Sequence, residues 1–169
     1  IKGWSEILPS LEKVELLWVA PKVNQSLFNA ISRMPNLRGL WIKHSSIKYV
    51  EAAMLQSLEF LWLGSSPNLS SIQPLADIKS LRWLETENLK LISNFSPLSC
   101  LEELVGLGIN GSMWTTQRVD SLSALAKLTK LRYLSLTNTR VTDKSLKPLH
   151  RLQSLETLRI AKWWPLDEV

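Results

Sequence analysis

One apolar frame, Leu-x-x-Leu-x-Leu with close replacements, returns seven times along this 169-residue chain and restricts its fold more than any other feature. It reads LEKVEL at 11, LRGLWI at 37, LEFLWL at 58, LRWLET at 81, LEELVG at 101, LRYLSL at 131 and LETLRI at 155. Three places before each start stands another apolar residue: Leu8, Met34, Leu55, Ile78, Leu98, Leu128 and Leu152. The starts are spaced by 26, 21, 23, 20, 30 and 24 residues.

Apolar residues that alternate with polar ones have the period of a strand with one buried face. A unit of this length cannot bury that face alone, so neighbouring units must stack. The strands then lie parallel, about 4.8 Å apart, and seven of them span roughly 29 Å. The segments between strands cover the other side. Residues 25–34, 120–128 and 143–152 read as short helices, with Asp120 and Asp143 as N-caps. Pro74 and Pro97 reduce repeats three and four to single turns.

The residue after each first Leu supplies a check on this stacking. It reads Glu12, Arg38, Glu59, Arg82, Glu102, Arg132 and Glu156, so stacked repeats place opposite charges side by side. This alternation helps set repeat order and calls for no ligand.

The segments SIQPLADIKSLRWL, NFSPLSCLEEL and SLSALAKLTKLRYLSLTNTRVTD resemble leucine-rich repeats of the bacterial, internalin type, and the resemblance extends over essentially the whole chain. It departs from the pattern where Ser45 and Thr139 replace the usual Asn and where repeat lengths vary. The resemblance implies an α/β fold: a right-handed solenoid with a seven-strand parallel concave sheet and short helices or 3-10 turns on the convex side. It also implies a scaffold or recognition role. Residues 1–169 read as a single such domain, and a chain beginning at Ile1 is expected to be part of a longer one.

In this frame, the side chains between the leucines face outward from the sheet. The third positions are Lys13, Gly39, Phe60, Trp83, Glu103, Tyr133 and Thr157; the fifth are Glu15, Trp41, Trp62, Glu85, Val105, Ser135 and Arg159. Trp41, Phe60, Trp62 and Trp83 converge on strands two to four, and an exposed aromatic patch of that size marks an interaction surface. The competing reading is that these rings simply pack on one another. Tyr133, Glu85 and Arg159 share the face and would set a partner's orientation.

The segment GINGSMWTTQRV, residues 108–119, breaks the rhythm in the longest repeat. Gly106, Gly108 and Gly111 would let the backbone leave the sheet. Met113, Trp114 and Arg118 would then stand on a loop at the binding rim, with Trp114 as either a contact or a core plug. Residues 118–162 hold ten basic and three acidic side chains, which suits an acidic protein or peptide partner.

Catalysis has little support. His44, His150 and Cys100 lie in different repeats, and no nucleophile, zinc or phosphate-loop motif occurs. GLGING, residues 106–111, matches a dinucleotide fingerprint by spacing but lacks the crossover unit. Glu85 and Glu87 have no third oxygen-rich partner for a cation, so no metal or cofactor is expected. Glu15, Glu85, Glu87 and Glu103 count against nucleic acid. No apolar run is long enough to span a membrane, and one cysteine cannot form an internal disulfide, which points to the cytoplasm. The reading is therefore a non-enzymatic protein-binding module. The alternative is a substrate-recognition arm of a larger enzyme or effector. Trp163 and Trp164 are expected at one end of the solenoid and Trp4 at the other.

Overall fold

The computed structural model describes residues 2–20 and 22–160. Seven parallel strands form one sheet in the order β1 (Leu16–Val19), β2 (Gly39–Lys43), β3 (Phe60–Gly64), β4 (Trp83–Glu87), β5 (Gly106–Asn110), β7 (Tyr133–Leu136) and β9 (Thr157–Ile160). Two further short strands, β6 (Gln117–Val119) and β8 (Thr139–Val141), pair in parallel beside this sheet. Leu40, Ile42, Leu61, Leu63, Leu84, Leu107, Ile109, Leu134 and Leu136 point inward and are buried. The other face of the sheet is open. The expected solenoid of stacked repeats is the observed architecture.

Two repeat starts differ from expectation, each by three residues. Leu16 pairs with Gly39 and Leu17 with Leu40, so the first frame begins at Val14 rather than Leu11. Gly106 pairs with Tyr133 and Leu107 with Leu134, so the fifth begins at Leu104 rather than Leu101. Both slips have one cause: an apolar residue stands three places before each start throughout the chain, and where it is leucine, as at Leu11 and Leu101, it mimics the frame. Leu101, for example, is 1% exposed at the end of the convex turn. Glu103 and Val105 consequently leave the open face, where Gly106 and Gly108 stand instead. The charge ladder begins with Glu15, not Glu12, and position 105 interrupts it in place of Glu102. Within it, Arg38 reaches Glu15 at 3.9 Å and Glu59 at 2.6 Å, and Arg132 meets Glu156 at 2.8 Å.

The covering layer is mostly 3-10 turns. Gln73–Asp77, Ser96–Cys100, Ser123–Lys127 and Lys147–Arg151 each make one tight turn, while Gln25–Ile31 is an α-helix capped by the Asn24 side chain. The helices expected at 120–128 and 143–152 are such turns, confined to Ser123–Lys127 and Lys147–Arg151. Asp120 and Asp143 do not cap them. Asp120 accepts from Ser93 Oγ at 3.1 Å and Asp143 from the Ser145 amide at 3.0 Å. At the first end, Lys2–Ile7 forms a short helix; Leu8 enters the core, and Trp4 stays outside. Trp163 and Trp164 lie outside the described residues.

A column of buried polar side chains lies beneath the strand exits, where the usual Asn is missing. Ser45 Oγ and Ser66 Oγ are 2.7 Å apart. The Gln117 amide donates to the Ile92 carbonyl at 2.7 Å and accepts from the Leu89 N–H at 2.9 Å, and Thr139 donates to the Ile109 carbonyl. The Gln117 and Thr139 bonds satisfy backbone groups that would otherwise be buried without partners, while the two serines satisfy each other.

Candidate binding face

The open face carries two rows of side chains. One row runs through Trp18, Trp41, Trp62, Glu85, Gly108, Ser135 and Arg159, because these residues pair strand by strand. Its first three members form an aromatic ladder. Trp41 stacks on Trp62 with ring centroids 4.4 Å apart and planes 14° off parallel, while Trp18 meets Trp41 edge-on at 4.6 Å. The ammonium of Lys43 lies 5.5 Å from the Trp62 ring and 3.5 Å from Glu87, which adds a cation–π contact. Trp18 is 74% exposed; Trp41 and Trp62 are half-buried against each other. The rings thus pack on one another and still leave part of their surface open to solvent.

The second row runs through Leu16, Gly39, Phe60, Trp83, Gly106, Tyr133 and Thr157. Trp83 and Tyr133 belong to strands separated by β5, yet their rings stack at 5.1 Å. They meet over Gly106, where an added Cβ would run into the Trp83 ring. Gly106 and Gly108 therefore do not release the backbone from the sheet. They lie within β5, none of the glycines has positive φ, and their missing side chains make room for Trp83 and Glu85. Arg159 donates to the Tyr133 hydroxyl at 3.2 Å and closes this second cluster.

Glu85 sits between the two aromatic groups. Burial raises its pKa above the ordinary carboxylate range, and the indole N–H of Trp62, the Arg159 charge and the indole N–H of Trp83 oppose that rise. The carboxylate is thus held among rings rather than fully hydrated. Among the described residues, no group of three or more His, Cys, Asp or Glu side chains is placed to hold a metal ion.

Met113, Trp114 and Arg118 are not on this face. They belong to the strand-exit edge, where residues 111–116 form a tied loop. Ser112 Oγ accepts from the Trp114 and Thr115 amides, and Asn138 Nδ2 donates to the Ser112 carbonyl at 2.6 Å. Gly111 is needed here because a Cβ would strike the carbonyl oxygens of Asn138 and Thr115. Trp114 is 89% exposed and Met113 82%, so neither plugs the core. Arg118 is exposed in β6, opposite Arg140 of β8.

Sequence reasoning missed Trp18 and Arg140. Trp18 was legible in the recurring LWV, LWI and LWL at 17, 40 and 61, which align once the first frame starts at Val14. Arg140 carried no comparable signal, because its place beside Arg118 depends on how the 111–116 loop closes.

No family profile matches the sequence. The chain is 26% identical, over 96% of its length, to a probable disease resistance protein of Arabidopsis thaliana, and spans 16% of that protein. Its fold is similar to internalin C2 of Listeria monocytogenes, with a TM-score of 0.67, 23% identity and coverage of 94% of this chain and 71% of that one. A leucine-rich repeat protein of Leptospira interrogans superposes with a TM-score of 0.53 at 18% identity, over 92% of this chain and 45% of the other. Repeat frame, parallel strand register and these likenesses agree, and the chain has the leucine-rich repeat fold, with repeats of irregular length.

Proposed function

We propose that this chain is a non-enzymatic protein-recognition module whose partner docks on the open face of the sheet. The observation that carries this reading is the Trp18–Trp41–Trp62 ladder, continued by Trp83 and Tyr133, which leaves large rings half open to solvent. Rings fixed by stacking lose little freedom on binding, and Trp, Tyr and Arg supply most of the energy at protein interfaces. Phe60 extends the apolar area, Glu85 and Arg159 orient the partner, and the Met113–Trp114 loop with Arg118 adds contacts at the rim.

Trp41→Ala combined with Trp62→Ala tests this. Partner capture should fall by at least about tenfold, as for a hot spot. The fold should persist at a cost of about 1–3 kcal/mol for two lost aromatic pairs. Undiminished capture, or unfolding of the double variant, would place the interface elsewhere.

A second reading, a recognition arm within a larger enzyme or effector, is favoured by the small share of the Arabidopsis protein that the chain spans. It uses the same face and differs in what is attached to it.

A further inference from the structure

The strand-exit edge is separate from the open face, and its charges are arranged differently. The exit turns form a backbone ladder: Lys22 N to His44 O at 3.1 Å, His44 N to Gly64 O at 3.1 Å, Ser65 N to Glu87 O at 2.8 Å and Asn88 N to Asn110 O at 2.8 Å. Lys22, His44, Ser65, Asn88 and Asn138 all take left-handed φ, between 48° and 71°. A groove of about 760 Å³ runs along this ladder, lined by Lys22, His44, Lys90, Asn88 and small polar residues, with no carboxylate among its lining residues.

Farther along, Arg118 and Arg140 are direct partners in the β6–β8 pair. Like charges opposed in this way disfavour the pairing. Lys22, Lys90, Arg118 and Arg140 are all exposed, and none belongs to an ion pair among the described residues. The neighbouring Asp120 and Asp143 are engaged by Ser93 and by the Ser145 amide.

We infer that this edge is a docking site for an acidic, extended segment of another protein. Charge complementarity selects that occupant, and the dimensions bound its length. Lys22 and Arg140 lie five repeats apart, about 24 Å at strand spacing, which an extended chain covers with about seven residues. Trp114, four residues before Arg118 on a tied loop, supplies an apolar anchor at one end. A nucleic acid suits the edge less well. Among the described residues, no Trp, Tyr or Phe lines the groove to stack a base.

The site shares Trp114 and Arg118 with the rim of the proposed interface but does not depend on the open-face rings, so its failure would leave recognition by those rings standing. The test is fluorescence anisotropy of the chain with labelled octaglutamate, octalysine and octathymidylate. Octaglutamate should bind tightest, and its affinity should weaken as salt rises from about 50 to about 300 mM. Arg118→Glu with Arg140→Glu should weaken it about tenfold, and Lys22→Glu with Lys90→Glu by a similar factor. Lys127→Glu with Arg151→Glu, an equal charge change on the convex turns, should alter it less than twofold. Equal losses from the edge and convex variants, or tighter binding of octathymidylate or octalysine, would overturn the inference.

Discussion

At the beginning of its strands the protein alternates charge, and at their ends Lys22, Lys90, Arg118 and Arg140 share one sign and make no ion pair among the described residues. Glu15, Arg38 and Glu59 neutralise one another in sequence, and Arg132 answers Glu156. At the other edge, Arg118 faces Arg140, and Lys22, His44 and Lys90 line a groove without a carboxylate. Exposed ion pairs add little stability, so the alternating edge serves mainly to specify which repeat lies beside which. Apart from Arg82, which makes no ion pair among the described residues, it has largely satisfied its own charges and offers little to a partner. The exit edge, built on an equally regular backbone ladder, leaves its charges for something outside. The open face resembles the first edge in its packing, since rings cover the glycines, but resembles the second in the surface it leaves exposed.

The largest effects should separate self-packed positions from open ones. Gly106→Leu forces the Trp83 ring off its seat and parts it from Tyr133; we expect a loss of about 1–3 kcal/mol by urea unfolding. Trp114→Ala, at a far larger side chain, should change stability by less than about 0.5 kcal/mol. A costly Trp114 change would mean that the exit loop is packed rather than presented. Charge reversal is next in size. Arg38→Glu sets three carboxylates in a row and should lower the melting temperature by a few degrees at low salt. Arg140→Glu places opposite charges across β6 and β8, so its melting temperature should hold or rise slightly; calorimetry reads both. Equal losses in the two variants would erase the contrast between the edges.

The smallest effect concerns Glu85. Its folded-state pKa is raised, chiefly by burial. Its contribution is therefore fully present below the unfolded pKa, and is lost as pH rises from that value through the folded one. Glu85→Gln should unfold at higher denaturant than the parent at pH 7, with the gap closing toward pH 4. A gap that widens on acidification would mean that the carboxylate is held charged in the fold.

Most of the architecture was legible because a strand with one buried face writes its period into the chain. Trp41, Phe60, Trp62, Trp83, Glu85, Tyr133 and Arg159 all fall on the open face for that reason. What the period does not carry is phase where two registers are equally apolar. Leu11 and Leu101 therefore masked the true starts, hid Trp18 and assigned Glu103 to the wrong surface. Gly106 and Gly108 look like backbone hinges in the sequence; their role depends on Trp83 and Glu85, side chains of the neighbouring strand that no local pattern reveals. Arg140 meets Arg118 through loop closure, which depends on Asn138 reaching Ser112 across the turn.

Oxidative footprinting of the indoles, on the free chain and on the chain with its partner bound, tests the central claim most directly. In the free chain Trp18 and Trp114 should react fastest, with Trp41, Trp62 and Trp83 slower but still modified; on binding, Trp18, Trp41 and Trp62 should become protected together. Inert Trp41 and Trp62 in the free chain, or unchanged labelling of the ladder in the complex, would contradict the assignment of recognition to the open face.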